Sequence, residues 1–435
     1  MAAEPNKKLL IISYFAPPQN VPGAVRVGKL ARYLPNWGWD ATILTVQQND
    51  YFCHDPLLYP DDLNVVRTAT FDVFTLQKLK KRFGSASSPE NSLREITTQK
   101  EGLVKNLKKY LPLDDKIGWM PAALWRALEL HRRYRFSCVF TTLGGVFHTA
   151  ITTWLFSKIT GVPYILDFRD LWSGNPLNEQ SRLVRNINTA LEKRVVKDAA
   201  AVIGVTPSTT AFLQQYSSTP KFHTITNGFD PADFSHRQRI PEDRLVMTFC
   251  GSIYTRISPK ILFQSILEAG ESYPITIRFV GNIRGNATTL IQHYASLMKK
   301  LDVQIEQRAK VPYHQLVEMM ATSDVLLAFL PDDTAESGVI LPAKIFDYIG
   351  ADRPVLAFCP AGGDLAKLIN EGNLGFAVAS DDVNRGSATI KQLVEMHRTG
   401  VLAQHTCIPA FRNTFDRNRI AQKVAEVCNE IRTGA

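Results

Sequence analysis

Leu341–Phe358 reads LPAKIFDYIGADRPVLAF, and its reading decides the fold class. Pro342 suits the first turn of a helix, and Gly350 suits the left-handed residue just past its end. Arg353-Pro354 then punctuates, and Val355–Phe358 reads as a buried strand. A helix followed at once by an apolar strand is the repeating piece of a parallel α/β sheet. Inside the helix, Lys344 and Asp347 lie three residues apart and share a face among Ile345, Phe346 and Ile349. They form either an exposed ion pair worth about 0.2–0.5 kcal/mol or a cation and a carboxylate that await a ligand.

The pattern repeats in both directions. Upstream, strands are expected at Leu9–Tyr14, Ala41–Val46, Asn64–Arg67, Cys138–Thr141, Pro163–Asp167, Ala201–Val205 and His223–Thr226. Helices are expected at Ala24–Leu34, Ala122–Tyr134, Phe147–Thr160, Gln180–Asp198 and Ser208–Tyr216. A charged linker at 235–244 separates this half from a second alternation, with strands at Leu245–Cys250, Ile275–Val280, Val303–Gln307 and Val325–Phe329. Helices at Pro259–Ala269, Ala287–Lys300, Tyr313–Ala321, Leu365–Glu371 and Asn418–Arg432 accompany them. The expected fold is α/β: two Rossmann-like, doubly wound domains facing a cleft. The expected boundaries are 1–238, 239–412 and a C-terminal helix at 413–435 that packs back on the first domain.

Composition sets the outer limits. The chain has 435 residues, 45% hydrophobic and 21% charged, which suits a globular protein with ample core. No apolar run approaches the ~20 residues that span a bilayer. Lys7-Lys8 before Leu9–Ala16 imitates a signal peptide, but Pro17-Pro18-Gln19-Asn20 stops the run without a cleavage pattern, so a first strand is expected instead. The six cysteines are scattered and form no CxxC, which fits reduced thiols in a cytoplasm. The formal net charge is +9, and 75–135 hold 14 basic residues against 6 acidic ones. That surplus suits an anionic membrane surface, a phosphorylated substrate or simply a solvated face. Few aromatics interleave it, so nucleic acid is not expected.

Ligands of open α/β sheets bind outside the carboxyl ends of the strands. Gly251, Ser252, Arg256 and Lys260 follow one strand of the second half, Gly281 follows another, and Gly338 precedes the opening helix. That helix's N-terminus is a natural phosphate site, Lys344 adds charge, and Asp347 can accept from the vicinal hydroxyls of a ribose. Phosphate at the helix start and ribose one turn in describe a nucleoside diphosphate. In the first half, Gly23 and Arg26 open the first helix, Asp167, Arg169 and Asp170 follow a strand in DFRDLW, and His148 begins a helix after Gly144-Gly145. A packing turn, a structural Asp–Arg pair and a core histidine would explain these nearly as well.

The chain resembles bacterial retaining glycosyltransferases of family 4, in the subgroup with a family 4-like N-terminal domain and the GT-B fold. The likeness runs from YFAPPQNVPGAVRVGKLARYLPNWGWDATILT through DDKIGWMPAALWRAL, VPYILDFRDLW, VIGVTPS, ITNGFDPADF and FCGSIYTR to LPAKIFDYIGADRPVLAF. The resemblance implies a nucleotide-sugar donor held by the C-terminal domain and a glycan or lipid-linked acceptor held by the N-terminal one. Through it, Asp347, seven residues before Pro354, takes the ribose-binding place of the second Glu in Glu-x7-Glu. Val339 stands where the first Glu would be, and Glu336 is out of register. Arg256 and Lys260 are the implied diphosphate cations, and His148 and Asp170 the implied cleft groups. Gly23, Arg26, Asp167 and Arg169 fall on the acceptor side. No DxD occurs in the chain, so no metal or cofactor is expected beyond the nucleotide sugar. A role in cell-surface polysaccharide or lipopolysaccharide assembly follows by resemblance, in the cytoplasm or at the inner face of the membrane. A catalytically idle nucleotide binder and a sugar-nucleotide epimerase are the alternatives.

Overall fold

The computed structural model describes residues 7–47, 55, 58–59, 62–71, 113–174, 180–234, 243–253, 257–283, 285–331 and 338–433. The chain divides into two units, one formed by 1–226 with 421–435 and the other by 227–420. The expected linker falls mostly outside the described residues.

The first unit is a parallel seven-stranded sheet. Its strands are β1 (Lys7–Ile12), β2 (Trp39–Val46), β3 (Val65–Thr68), β4 (Cys138–Leu143), β5 (Tyr164–Phe168), β6 (Ala201–Gly204) and β7 (Lys221–Thr224), in the order 3-2-1-4-5-6-7. The helices between them are α1 (Pro22–Tyr33), α2 (Met120–Tyr134), α3 (His148–Thr160), α4 (Arg182–Asp198) and α5 (Pro207–Gln214). Every residue of β4 and β5 is buried, which is why these strands are mostly apolar rather than alternating. Helix boundaries follow local chemistry. Pro22 occupies the first turn of α1, the Thr206 side chain caps α5 by accepting from the Thr209 N–H, and Gly161 closes α3 at φ 74°.

The second unit repeats the scheme with β8 (Leu245–Cys250), β9 (Ile275–Val280), β10 (Val303–Arg308), β11 (Val325–Phe329), β12 (Val355–Phe358) and β13 (Gly375–Val378), all parallel in the order 10-9-8-11-12-13. After a one-turn α6 (Pro231–Phe234), its helices are α7 (Lys260–Ala269), α8 (Asn286–Met298), α9 (Tyr313–Thr322), α10 (Lys344–Ala351), α11 (Asp364–Glu371), α12 (Val383–Arg398) and α13 (Pro409–Asn413). Phe249, Phe329 and Phe358 form a run of ring contacts through its core. The last helix, α14 (Arg417–Thr433), belongs to the first unit from Ala421 onward. There Lys7 donates to Asn429 at 2.9 Å, and Glu430 lies 3.7 Å from Lys221.

Several expectations need correction. α10 ends on Asp352 at φ 52°, not on Gly350. Gly350 is inside the helix, where a β-carbon would sit 2.6 Å from Phe234 and 2.8 Å from Phe229. Asp352 accepts the left-handed residue's place and takes the Cys407 N–H on its carboxylate at 2.9 Å. The 16-residue α12 was not expected, because Gly386 interrupts its pattern. That glycine lets the helix approach Ser265 of α7, whose hydroxyl a β-carbon would overlap. Asn227–Asp230 is anchored in the second unit: Phe229 is 1% exposed and pairs with 415–417 through backbone hydrogen bonds.

Candidate functional site

In each sheet the connections reverse direction beside the first strand, between β1 and β4 and between β8 and β11. The carboxyl ends of those strands form the crevice where such sheets take ligands.

In the second unit, β8 is followed by Gly251 at φ 133°, and β9 by Gly281 at φ 139°. Both values lie where glycine is favoured. The two backbones approach so closely that a β-carbon on Gly281 would overlap the Gly251 carbonyl. Tyr348 fixes α10 over these strand ends, donating to the Leu327 carbonyl at 3.0 Å while its hydroxyl accepts the Cys250 N–H at 3.1 Å. Lys344 in the first turn is thereby set over the ring of Phe249, with Nζ 3.5 Å from the centroid. A β-carbon on Gly251 would lie 3.3 Å from the same Nζ. Among the described residues Lys344 has no hydrogen bond and no ion pair, and only the aromatic face offsets its charge. Burial lowers its pKa from the ordinary 10.5 to about 7, against the opposing pull of Cys250. Burial likewise pushes the Cys250 thiol up to about 12.

Asp347 faces elsewhere. It accepts the Tyr313 hydroxyl at 2.9 Å, so it and Lys344 do not form the exposed ion pair. Burial, and then the Asp347 charge, raise the Tyr313 pKa well above its ordinary value. Tyr313 and Phe249 are site residues that sequence reasoning missed. Their signal was position alone, at the start of α9 and the end of β8.

The remaining donor-side residues are less gathered. Ser252 is exposed, and Gly338 lies with its backbone against Gly363. Lys260 is exposed at the start of α7. Arg256 lies outside the described residues. The amides of Ile345 and Phe346 already bond the Pro342 and Ala343 carbonyls, so the N-terminus of α10 offers fewer free N–H groups than a free helix end.

In the first unit, Arg26 is buried. It is 1% exposed and clamps Asp167 through two hydrogen bonds of 2.8 and 2.6 Å. It also donates to the Thr226 and Ile225 carbonyls. Asp167 is fully buried, and the pair ties β5 to α1 and to the end of the sheet. His148 is also fully buried and begins α3. Its Nδ1 lies 2.8 Å from Asp114, whose other oxygen takes the Phe147 and His148 N–H groups at 2.7 and 2.8 Å. Burial would raise the Asp114 pKa, but the His148 charge and these hydrogen bonds outweigh it and lower it. Tyr14 and Trp119 pack edge-on to the imidazole, and among the described residues Nε2 meets no partner. Arg169 is half-buried beside Gly23 and Gly144, and Asp170 is exposed.

Residues 23–228 match the family model of the glycosyl transferase 4-like domain. No curated protein matches the chain in sequence. Among solved structures, HepE of Anabaena in complex with UDP and glucose superposes with a TM-score of 0.58 at 14% identity, over 98% of this chain and 100% of that one. A UDP-forming α,α-trehalose-phosphate synthase from Burkholderia vietnamiensis gives 0.59 at 12% identity, over 99% and 100%. The lipopolysaccharide outer core galactosyltransferase WaaB gives 0.58 at 10% identity, over 97% and 99%. Likeness at these identities is likeness of fold. Residues 23–228 are thus similar to the glycosyl transferase 4-like domain, and the chain has the GT-B fold of glycosyltransferases.

Proposed function

We propose that the protein moves a sugar from a nucleoside-diphosphate sugar to a hydroxyl of a glycan or lipid-linked acceptor, with retention of anomeric configuration. The observation that carries this reading is Lys344, a half-buried ammonium with no anionic partner among the described residues, at the carboxyl end of β8. Breaking the C1–O bond leaves negative charge on the diphosphate, and a fixed cation in a dry site stabilises it as it develops. Asp347, oriented by Tyr313, takes the ribose hydroxyls. The leaving phosphate helps to deprotonate the acceptor on the same face, so no second carboxylate is assigned. HepE is known in complex with UDP-glucose, and the pneumococcal O-GlcNAc transferase GtfA with UDP and GlcNAc, which supports a nucleotide sugar as donor.

The second unit is then the donor domain and the first the acceptor domain, working in cell-surface polysaccharide or lipopolysaccharide assembly. Among the described residues no helix is long and apolar enough to cross a membrane. The basic surplus of 75–135 draws the protein to anionic lipid from the cytoplasmic side, at about 1 kcal/mol per basic residue. Sedimentation with vesicles should require phosphatidylglycerol and be lost at high salt, and pelleting with neutral vesicles alone would remove this part.

Calorimetric titration with UDP tests the donor site. Lys344→Met should weaken binding about tenfold or more, since a charge-assisted contact is lost, and unchanged affinity would refute the assignment. Val339 favours one second reading, nucleotide binding without turnover. Release of sugar from the donor, followed by NMR of the product anomer, separates the two.

A further inference from the structure

The loop after β5 is held by a buried carboxylate that the donor site does not use. Glu192 of α4 is fully buried. Its Oε1 accepts the Trp172 N–H at 3.3 Å. Its Oε2 accepts the Ser173 N–H at 3.0 Å and the Tyr216 hydroxyl at 3.3 Å, and the Ser173 hydroxyl donates to the same oxygen. No cation balances this carboxylate. The ion pairs of α4 go to Asp198, from Lys158 and Arg194, and among the described residues none reaches Glu192. Burial raises the Glu192 pKa above its ordinary value, against the pull of the hydrogen bonds from Ser173, Trp172 and Tyr216.

The other charged and titratable groups nearby are engaged elsewhere or stay protonated. Tyr216, just after α5, faces the carboxylate, and burial followed by the Glu192 charge raise its pKa, so it remains a donor. Lys193 places its Nζ 5.5 Å from the centre of the Tyr216 ring. Within the loop, Arg169 donates to Thr142 and to the Gly144 carbonyl, and Asp170 is exposed.

What the carboxylate holds is the chain from Arg169 to Gly174. The near end is anchored on β4, where the Arg169 and Asp170 amides bond the Leu143 carbonyl. Trp172 stacks on Phe147, with centroids 5.4 Å apart and 3° between the planes. A β-carbon on Gly174 would overlap the Phe212 ring. Packing thus fixes the rings, and Glu192 takes the two amides at the far end. A neutral carboxyl would turn one acceptor oxygen into a donor facing other donors, so only the charged form satisfies them all.

We propose that Glu192 is a positioning residue for transfer: its ionised carboxylate locks the loop that carries Arg169 and Asp170, and protonation releases that loop. The role in transfer rests on the transferase reading, which sets these residues on the acceptor side. The lock is complete well above the raised pKa and weakens about tenfold per pH unit below it.

The test is 19F NMR of the full chain labelled with 5-fluorotryptophan, with Trp172 assigned by the signal lost in Trp172→Phe. As pH falls, the Trp172 signal should titrate at a midpoint of its own, above the ordinary carboxylate range, and Glu192→Gln should flatten that titration. Ser173→Ala removes one bond to the charged form and should raise the midpoint by about one pH unit. A flat signal in the unmutated chain, or a titration unchanged by Glu192→Gln, overturns the proposal. One midpoint shared by all six tryptophans is unfolding and overturns it too. If Glu192→Gln fails to fold, Ser173→Ala decides alone, and an unmoved midpoint overturns the assignment. The consequence for transfer is the acid limb of sugar release from UDP-glucose, which should follow the Trp172 midpoint and move with it in Ser173→Ala. A limb that stays in place overturns the positioning role. Absence of release at every pH counts against the transferase reading instead, and the Trp172 titration still reads Glu192.

Discussion

Lys344 carries a proton that the folded chain holds weakly. Its pKa of about 7 lies below the ordinary 10.5, so the unfolded chain keeps a proton that the folded one releases between those values. This group therefore favours folding more as pH rises from about 7 to 10.5. Nucleotide binding has the opposite sign, because a bound diphosphate calls the proton back. UDP affinity should fall by up to about tenfold per pH unit just above 7, with proton uptake on binding, and Lys344→Met should abolish that slope. Calorimetry in buffers of different ionisation enthalpy reads both. Tyr313 works through Asp347. Tyr313→Phe removes one hydrogen bond of net worth about 0.5–1.5 kcal/mol, so UDP should bind several-fold more weakly while pyrophosphate binds as before. An equal loss for both would assign Tyr313 a merely structural role.

Elements are held to the sheets by buried polar ties. Arg26 joins α1 to β5 and to the carbonyls of 225 and 226. Arg26→Met leaves Asp167 charged and unpaired in a fully buried place, and should cost about 3–5 kcal/mol in urea denaturation. Exchange of both partners for apolar residues should cost much less. The Asp114–His148 tie works similarly, with a carboxylate from the loop before α2 capping α3 from a distance. Nothing in the local sequence of α3 announces that cap, which comes from 34 residues away.

At the scale of the whole molecule, α14 completes a unit whose other residues end at 226. Ala421, Val424, Ala425, Val427 and Cys428 are at most 2% exposed. Fully burying a large apolar side chain is worth about 1.5–3 kcal/mol, and a domain's net stability is only about 5–15 kcal/mol. A chain ended after Asp416 should therefore lose the cooperative unfolding of its first unit, seen as a missing or strongly lowered melting transition. A transition at the full-length temperature would show that the helix is dispensable.

Local order was legible because it is local. Apolar runs marked the strands, and parallel α/β pairing followed from alternation. The Lys344–Asp347 helix was visible as a candidate because both charges sit where an apolar segment turns into a strand. The sequence could not show where long side chains end. Only packing sent Lys344 onto Phe249 rather than to Asp347, buried Arg26 against Asp167, and spent Gly350 and Gly386 on close approach rather than on turns. Those outcomes depend on residues tens to hundreds of positions away, and burial, which sets charge and pKa, is a property of the folded chain.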